Sequence, residues 1–411
     1  MVIGKIRRPV VKRTISPSRS FGGPSGGRNR NSNGLGNIRR SMAEPSRNID
    51  WLLMIAVTGL SIIGAFAVYS CTRPILLARG IDPYYSVQRQ IVYLIIAAVA
   101  MVVLMATDYQ WLRGRSEFLF GASLVALVLV LVAGTVKGGA RLSFDFGFFS
   151  LQPAEFTKFS LLLLLAGYLS EDESEELSYS RFTATLLIFG SAAGLILLQP
   201  DLGSASVLVA CVMGLLLIAG AKLKYIASIT ALAVVSAALA VWSGIVRSYQ
   251  FRRIEAFINQ NSTEFALKEV VLQVRFAKRA VSTGGLTGKG FLQGPLTNGG
   301  FIPVQSTDFI FSAIAEQFGL VGSGVTIGLL TLLLWRIWRI GRLARTRLGQ
   351  YIAIGAFTMI LWQSFQNIAM TIGIMPVSGL PLPFVSYGGS HLVAFAMIIG
   401  LVQSVHMRRL R

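Results

Sequence analysis

Apolar residues in this chain come in long, nearly unbroken runs separated by polar turns. They do not alternate with polar residues as half-buried strands would. The runs cover residues 51–70, 90–107, 118–135, 153–170, 182–199, 203–221, 225–246, 309–335, 351–375 and 388–406. Each approaches the roughly 20 apolar residues that cross a bilayer core. In lipid, backbone polar groups are satisfied only within helices or closed barrels. The pattern therefore predicts an all-α, polytopic membrane protein with about ten transmembrane helices. The fourth run is short, follows Gln152-Pro153 and carries Glu155 and Lys158, which predicts a bent or partly spanning helix. Residues 1–49 hold no such run and are rich in Arg, Ser, Gly, Asn and Pro. They predict a disordered tail, with the membrane domain at 50–411. No short apolar segment with a cleavage site precedes the first run, so no cleaved signal peptide is expected.

Composition agrees. Of 411 residues, 53% are hydrophobic and 14% charged, with a mean hydropathy of +0.63. That is too little charge for a soluble surface of this size. Charge adds direction. The formal net charge is +20, and residues 1–49 hold eleven Lys or Arg against one acid. Beside so much apolar sequence, this excess points to topology and anionic membrane lipids, not nucleic acid. The tail, Lys222 and Lys224, Arg336 to Arg347, and Arg408 to Arg411 all fall on one side of an even number of spans. The positive-inside trend makes that side, and both termini, cytoplasmic. The acids Glu171, Asp172, Glu173, Glu175 and Glu176 share it, but acids count little in this rule. Residues 247–307, between helices 7 and 8, then form a large extracytoplasmic loop. It is basic, with Arg247, Arg252, Arg253, Lys268, Arg275, Lys278, Arg279 and Lys289 against three Glu. A loop of this length is uncommon unless functional, and an anionic ligand at the outer surface would explain its charge. Cys71 and Cys211 lie in or beside different runs and read as small buried hydrophobes. Two histidines, His391 and His406, do not make a His-built metal site.

Four polar clusters sit at the outward ends of the predicted spans. Arg141 precedes Gln152-Pro153-Ala154-Glu155-Phe156-Thr157-Lys158. Gln199-Pro200-Asp201-Leu202-Gly203 turns between spans five and six. Gly284-Gly285-Leu286-Thr287-Gly288-Lys289-Gly290 leads to Thr307-Asp308-Phe309-Ile310-Phe311. The last is Pro376-Val377-Ser378-Gly379-Leu380-Pro381-Leu382-Pro383-Phe384-Val385-Ser386-Tyr387-Gly388-Gly389-Ser390. Ionisable groups near hydrocarbon are costly, and are paired or functional. Glu155 and Lys158 share a helix face, as an ion pair or as substrate contacts. Asp201 and Asp308 each fit a helix N-cap or a functional carboxylate. Glu316 fits a cation partner or a hydrogen bond within the bundle. The glycines around Lys289 offer a backbone nest for phosphate, without the spacing of a nucleotide loop. The Pro-rich cluster cannot be regular helix. Irregular backbone at that depth is buried in protein or lines a wet cavity.

In this order and spacing, the clusters resemble the SEDS family of RodA, FtsW and SpoVE over residues 49–408. The most specific part is Thr307-Asp308-Phe309-Ile310-Phe311 with Glu316, Asn367 and Pro381-Leu382-Pro383-Phe384-Val385-Ser386-Tyr387-Gly388-Gly389-Ser390. Ile49-Asp50-Trp51 and the stretch from Asn367 to Pro376 look most like RodA. Four positions depart from the usual pattern: Leu142, Val304, Ser306 and His391.

The resemblance implies a multi-pass protein of the bacterial cytoplasmic membrane that polymerises lipid II into glycan strands, for elongation or division, together with a class B penicillin-binding protein. It implies that Asp308 is the catalytic carboxylate. Arg141, Glu155, Lys158, Asp201, Lys289 and Ser386 are the expected substrate contacts. The reaction joins a sugar hydroxyl to an anomeric carbon and expels a polyprenyl diphosphate, so it needs a base and charge stabilisation. A divalent cation, Mg or Mn, shared by Asp308 and diphosphate is an alternative source of that stabilisation. The rival classes are a lipid II flippase and a non-catalytic scaffold. A flippase would place ionisable residues near mid-membrane on paired broken helices.

Overall fold

Nine of the ten expected runs fall on helices of the described chain. The computed structural model describes residues 48–410 except 138–139, 148, 173–175, 229, 232–247 and 261–267. The tail at 1–47 and most of the run expected at 225–246 lie outside the described residues. The helices of the transmembrane unit are α1 (Trp51–Ala78), α2 (Tyr85–Ala106), the short α3 (Tyr109–Arg113), α4 (Ser116–Ala133), α5 (Pro153–Ser170), α6 (Tyr179–Leu198) and α7 (Leu202–Ile218). They continue with α8 (Ser248–Ile258), α9 (Lys268–Gly284), α10 (Pro295–Asn298), α11 (Ile310–Leu343), α12 (Arg347–Thr371) and α13 (Gly389–Met407). Between α4 and α5, β1 (Thr135–Lys137), β2 (Ala140–Asp145) and β3 (Ser150–Leu151) form an antiparallel sheet in that order. It leads the chain directly into Gln152.

Among the described residues, six helices, α1, α2, α4, α6, α11 and α13, are long and apolar enough to cross a membrane. The outer faces of α1, α2 and α4 carry exposed Ile55, Ile62, Phe66, Val99, Val102 and Val132. A surface of that kind faces lipid, not water. The chain is a multi-pass membrane protein. Helices α5 and α12 are more polar because they face protein. α5 is buried along almost its whole length, including Thr157, Lys158 and Ser160, and packs on α4, α12 and α13. α12 buries Gln363, Ser364, Gln366 and Asn367. The fourth expected run is thus one 18-residue helix. Its Pro153 stands in the first turn, where the missing N–H is harmless.

α11 is two helices joined at Gly319, whose φ of 62° and ψ of −154° break the ladder. Such a break orphans backbone groups, which must find partners. The loop 284–290 supplies them. Lys289 N–H donates to Glu316 O at 2.9 Å and Gly290 N–H to Gln317 O at 3.0 Å. In return, Leu320 N–H donates to Gly285 O at 2.9 Å and Val321 N–H to Leu286 O at 3.1 Å. Gly288 has φ +85°, and a Cβ there would lie 2.1 Å from Gln317 O. The glycine run is a clip on the kink of α11. Its Lys289 and Gly290 amides are already engaged by protein, so they do not form the phosphate nest that the glycines allow on paper. Glu316 is fully buried and accepts from Leu296 N–H at 2.8 Å and Thr297 N–H at 2.9 Å. Of its two sequence readings, the hydrogen bond within the bundle is the one realised.

The segment 247–307 is also less open than a loop. α9 buries Val271, Val274, Ala277 and Ala280 at helical spacing, with Arg275, Lys278 and Arg279 on the exposed face. Cys71 and Cys211 are both free and buried.

Candidate active site

All four polar clusters contribute to the walls of one cavity of about 410 Å³. Gln152 and Glu155 open α5, Asp201 opens α7, and Val304 and Asp308 precede α11. Pro376 to Pro381 form the irregular wall, with Arg253 of α8 and Gln366 of α12.

Asp308 is set by backbone constraints on both sides. Val304, at a left-handed φ of 50°, offers its carbonyl to Thr307 N–H and Asp308 N–H, both at 3.1 Å. A β-branched residue in that region is strained, and such strain clusters at functional sites. Asn367, buried in α12, donates its amide to Asp308 O at 2.8 Å and to Leu380 O at 2.7 Å. Ser386 Oγ donates to Thr307 O and accepts from Leu382 N–H at 2.8 Å. Tyr387 N–H donates to Ser306 O at 2.9 Å. The 304–308 turn and the Pro-rich wall are therefore one hydrogen-bonded unit.

The Asp308 carboxylate is not a helix cap. The N-cap of α11 is Phe309, with no side-chain cap bond. The carboxylate faces the cavity instead. A Cβ built on Gly379, at φ +74°, would lie 3.7 Å from Asp308 Oδ2 and 3.5 Å from Arg253 Nη1. Both charged groups thus border the space left at a position without a side chain. Enclosure of the Asp308 carboxyl raises its pKa above the ordinary carboxylate value. The adjacent Thr307 hydroxyl and the Arg253 guanidinium oppose that rise, and Asp201 adds to it.

The other expected residues separate. Asp201 does both things its sequence allowed. It caps α7, accepting from Ser204 N–H at 2.9 Å, and it lines the cavity, with Gln152 Nε2 at 3.4 Å. Glu155 lines the cavity, and its Oε1 accepts from Lys158 Nζ at 2.7 Å. Its Oε2 is buried with no hydrogen-bond partner among the described residues. Lys158 lies behind Glu155, fully enclosed. Its Nζ also donates to Gln363 Oε1 at 3.1 Å, and Gln363 Nε2 donates to Pro381 O at 2.8 Å. Ser386 is buried in the wall and acts on the backbone of Thr307. Arg141 lies outside the cavity lining, with its guanidinium on the Leu131 and Val132 carbonyls at the end of α4. Lys289 is an exposed side chain on the clip, also outside the lining.

Sequence reasoning counted Arg253 only as one of many loop cations. Its signal was faint, a pair of arginines in an 11-residue segment of helical periodicity. Only the fold brings α8 to the Pro-rich wall, where Arg253 Nη1 donates to Val377 O at 3.2 Å. Two departures from the family pattern, Leu142 and Val304, also line the cavity. No group of three or more His, Cys, Asp or Glu among the described residues could hold a metal by itself. The carboxylates present fit a cation only as one or two ligands beside a substrate's phosphates.

An apolar groove of about 390 Å³ runs between α7 and α12 past Met213, Gly214, Leu361, Trp362 and Phe365. Phe365 lines the groove and the next residue, Gln366, lines the cavity. Ser206 Oγ donates to Gln366 Oε1 at 2.9 Å and accepts from Trp362 Nε1 at 3.0 Å, which ties the two helices together.

Residues 50–410 match the family model described as cell cycle protein, which groups FtsW, RodA and SpoVE. The chain is 34% identical over 361 residues to stage V sporulation protein E of Bacillus subtilis, covering 87% of this chain and 96% of that one. It is 32% identical over 363 residues to peptidoglycan glycosyltransferase MrdB of Escherichia coli, covering 88% and 94%. Among solved structures, it is similar to a chain described under structural coordination of polymerization and crosslinking by a peptidoglycan synthase complex. The TM-score is 0.72 and the identity 29%, over 88% of this chain and 98% of that chain.

Proposed function

The chain belongs to the FtsW, RodA and SpoVE family of cell cycle proteins, and from that premise we propose that it is a peptidoglycan glycosyltransferase that polymerises lipid II at the outer face of the bacterial cytoplasmic membrane. The observation that carries this reading is the Asp308 carboxylate. Its backbone turn is fixed by Asn367 and Ser386, and it lines a cavity beside helices α7 and α12, which also carry an apolar groove. A lipid-linked sugar needs both a reactive polar chamber and a nearby surface that accepts a long hydrocarbon.

In this reading the protein has ten spans with both termini cytoplasmic, and α8 to α10 lie outside. The acceptor's sugar hydroxyl enters beside Asp308. The carboxylate accepts its proton as the oxygen attacks the anomeric carbon of the donor. Burial raises the affinity of that carboxylate for a proton, which suits a base that must remove one from a hydroxyl. Asp201 and Glu155 border the same chamber and orient sugar hydroxyls, while Lys158 neutralises Glu155 from behind. A divalent cation would be held by Asp308 and would supply charge neutralisation for the donor's diphosphate. A class B penicillin-binding protein cross-links the product. The similarity to a chain from a peptidoglycan synthase complex supports that partnership.

The test is polymerisation of purified lipid II by the wild type and by Asp308→Ala, each with and without EDTA. A base contributes roughly 10²–10⁴-fold, so the variant should make almost no polymer. Equal polymer from both proteins would end the reading. Lipid translocation that survives in the variant, with no polymerisation by the wild type, would favour a flippase.

A further inference from the structure

We propose that Arg253 holds the diphosphate of the donor substrate and stabilises it as the leaving group. The inference rests on the glycosyltransferase reading and adds to it a residue for the half of the reaction that Asp308 cannot serve.

Glu155, Asp201 and Asp308 all line the cavity. Glu155 is neutralised by Lys158, but Asp201 and Asp308 have no lysine in the wall. A lipid-linked diphosphate brought to Asp308 would meet like charge on two sides. Arg253 is the one Lys or Arg among the described lining residues. It stands 3.5 Å from the Cβ position of Gly379, and Asp308 Oδ2 is 3.7 Å from the same point. Base and cation therefore both border the space beside Gly379, close enough for one substrate to touch both.

The position is built, not incidental. Arg253 Nη1 donates to Val377 O at 3.2 Å, which aims the guanidinium along the Pro-rich wall. Just past the end of α8, Gln260 Nε2 donates to Gly373 O at 2.9 Å, on the turn that leads from α12 toward that wall. Lys278 Nζ of α9 donates to Gln260 Oε1 at 3.0 Å and braces that contact. The remaining described cations of the segment, Arg275, Lys278, Arg279 and Lys289, are exposed and off the cavity lining. A guanidinium fork matches two phosphate oxygens at once, which an ammonium does not.

The step balances. The acceptor hydroxyl gives its proton to Asp308 as its oxygen forms the new bond to the anomeric carbon. The bond from that carbon to the diphosphate oxygen breaks, and its electron pair leaves with the polyprenyl diphosphate. Negative charge grows on that oxygen in the transition state, where a preorganised donor has its largest effect.

The experiment compares wild type, Arg253→Ala, Arg253→Lys and Asp308→Asn as full chains co-purified with the penicillin-binding partner. Lipid II turnover and direct binding of undecaprenyl diphosphate are measured. Removing one such donor costs about 10²–10³-fold in kcat. The expected result is a loss of about 10²-fold in Arg253→Ala with partial rescue in Arg253→Lys. The dissociation constant for undecaprenyl diphosphate, measured by direct binding, should rise at least about tenfold in Arg253→Ala and not rise in Asp308→Asn. Wild-type turnover and binding in Arg253→Ala, with Asp308→Asn inactive, would overturn this inference and leave the glycosyltransferase reading standing. Full activity of Asp308→Asn would overturn the reading itself. Should Arg253→Ala fail to fold, judged by thermal unfolding, the dissociation constants of Arg253→Lys and Arg253→Gln decide. No change in either overturns the assignment.

Discussion

Asp50 and Asp308 both stand just before a long apolar helix, at opposite ends of the bundle, and the protein treats them in opposite ways. Asp50 caps α1, accepting from Leu53 N–H at 3.1 Å, and forms a two-pronged pair with Arg336 of α11. It is 3% exposed and its partner 9%. The rest of that end is closed in the same manner. Arg113 pairs with Glu171, Arg181 with Asp172, and Arg408 reaches the carbonyls at the end of α2. Asp308 caps nothing. Its backbone is held from several directions while its carboxylate is left facing a cavity. Where charges are matched by nearby groups, they hold helices together. Where the scaffold fixes the main chain but leaves the charged atoms facing open volume, they are available for chemistry.

Substitutions at the two ends should separate these roles. The largest effect belongs to Asp308→Asn. Polymerisation should fall by roughly 10²–10⁴-fold with little change in thermal stability, since the amide keeps the shape of the side chain. Asp50→Ala should do the reverse. Stranding Arg336 in a buried site costs about 3–5 kcal/mol, read as a lower unfolding temperature in detergent, while turnover per folded molecule holds. Equal effects of both variants on turnover per folded molecule would erase the distinction.

Asn367→Ala sharpens the comparison from the side of the scaffold. It removes the donor from two buried carbonyls, a cost of about 1–3 kcal/mol. It should also lower turnover, because the Asp308 carbonyl loses its anchor. A pH profile of wild-type turnover tests the enclosed carboxylate. A base works only when ionised, so activity should fall as pH drops through a pKa above the ordinary carboxylate value. An acid limb at or below that ordinary value would remove the argument from burial. The smallest change is expected for Glu171→Gln. Its pair with Arg113 is solvent-exposed, and such pairs contribute less than about 1 kcal/mol.

Much of this was legible along the chain. The length and polarity of the runs announced membrane helices, because lipid allows few alternatives. The Pro-rich cluster could not be helix, and it became the wall of a cavity. Glu155 and Lys158 met as their spacing required. Other features were not legible. The glycines around Lys289 resembled a phosphate nest, yet Lys289 and Gly290 amides complete the broken ladder at Gly319 of α11. Only the packing of two distant segments makes that need visible. Arg141 looked like a substrate contact and instead closes the end of α4, because the nearest unsatisfied carbonyls lie there.

The sequence alone determined the solvent of this protein and the polarity of its long helices. Those follow from composition and local spacing, which do not depend on distant residues. The tertiary structure decided which charges meet. It put Arg253 and Asp308 together beside Gly379, kept Lys289 off the cavity lining, and hid Lys158 behind Glu155. Electrostatic partnership depends on separations of a few ångströms, and separations between residues far apart in the chain are fixed only by the packing of the helices that carry them.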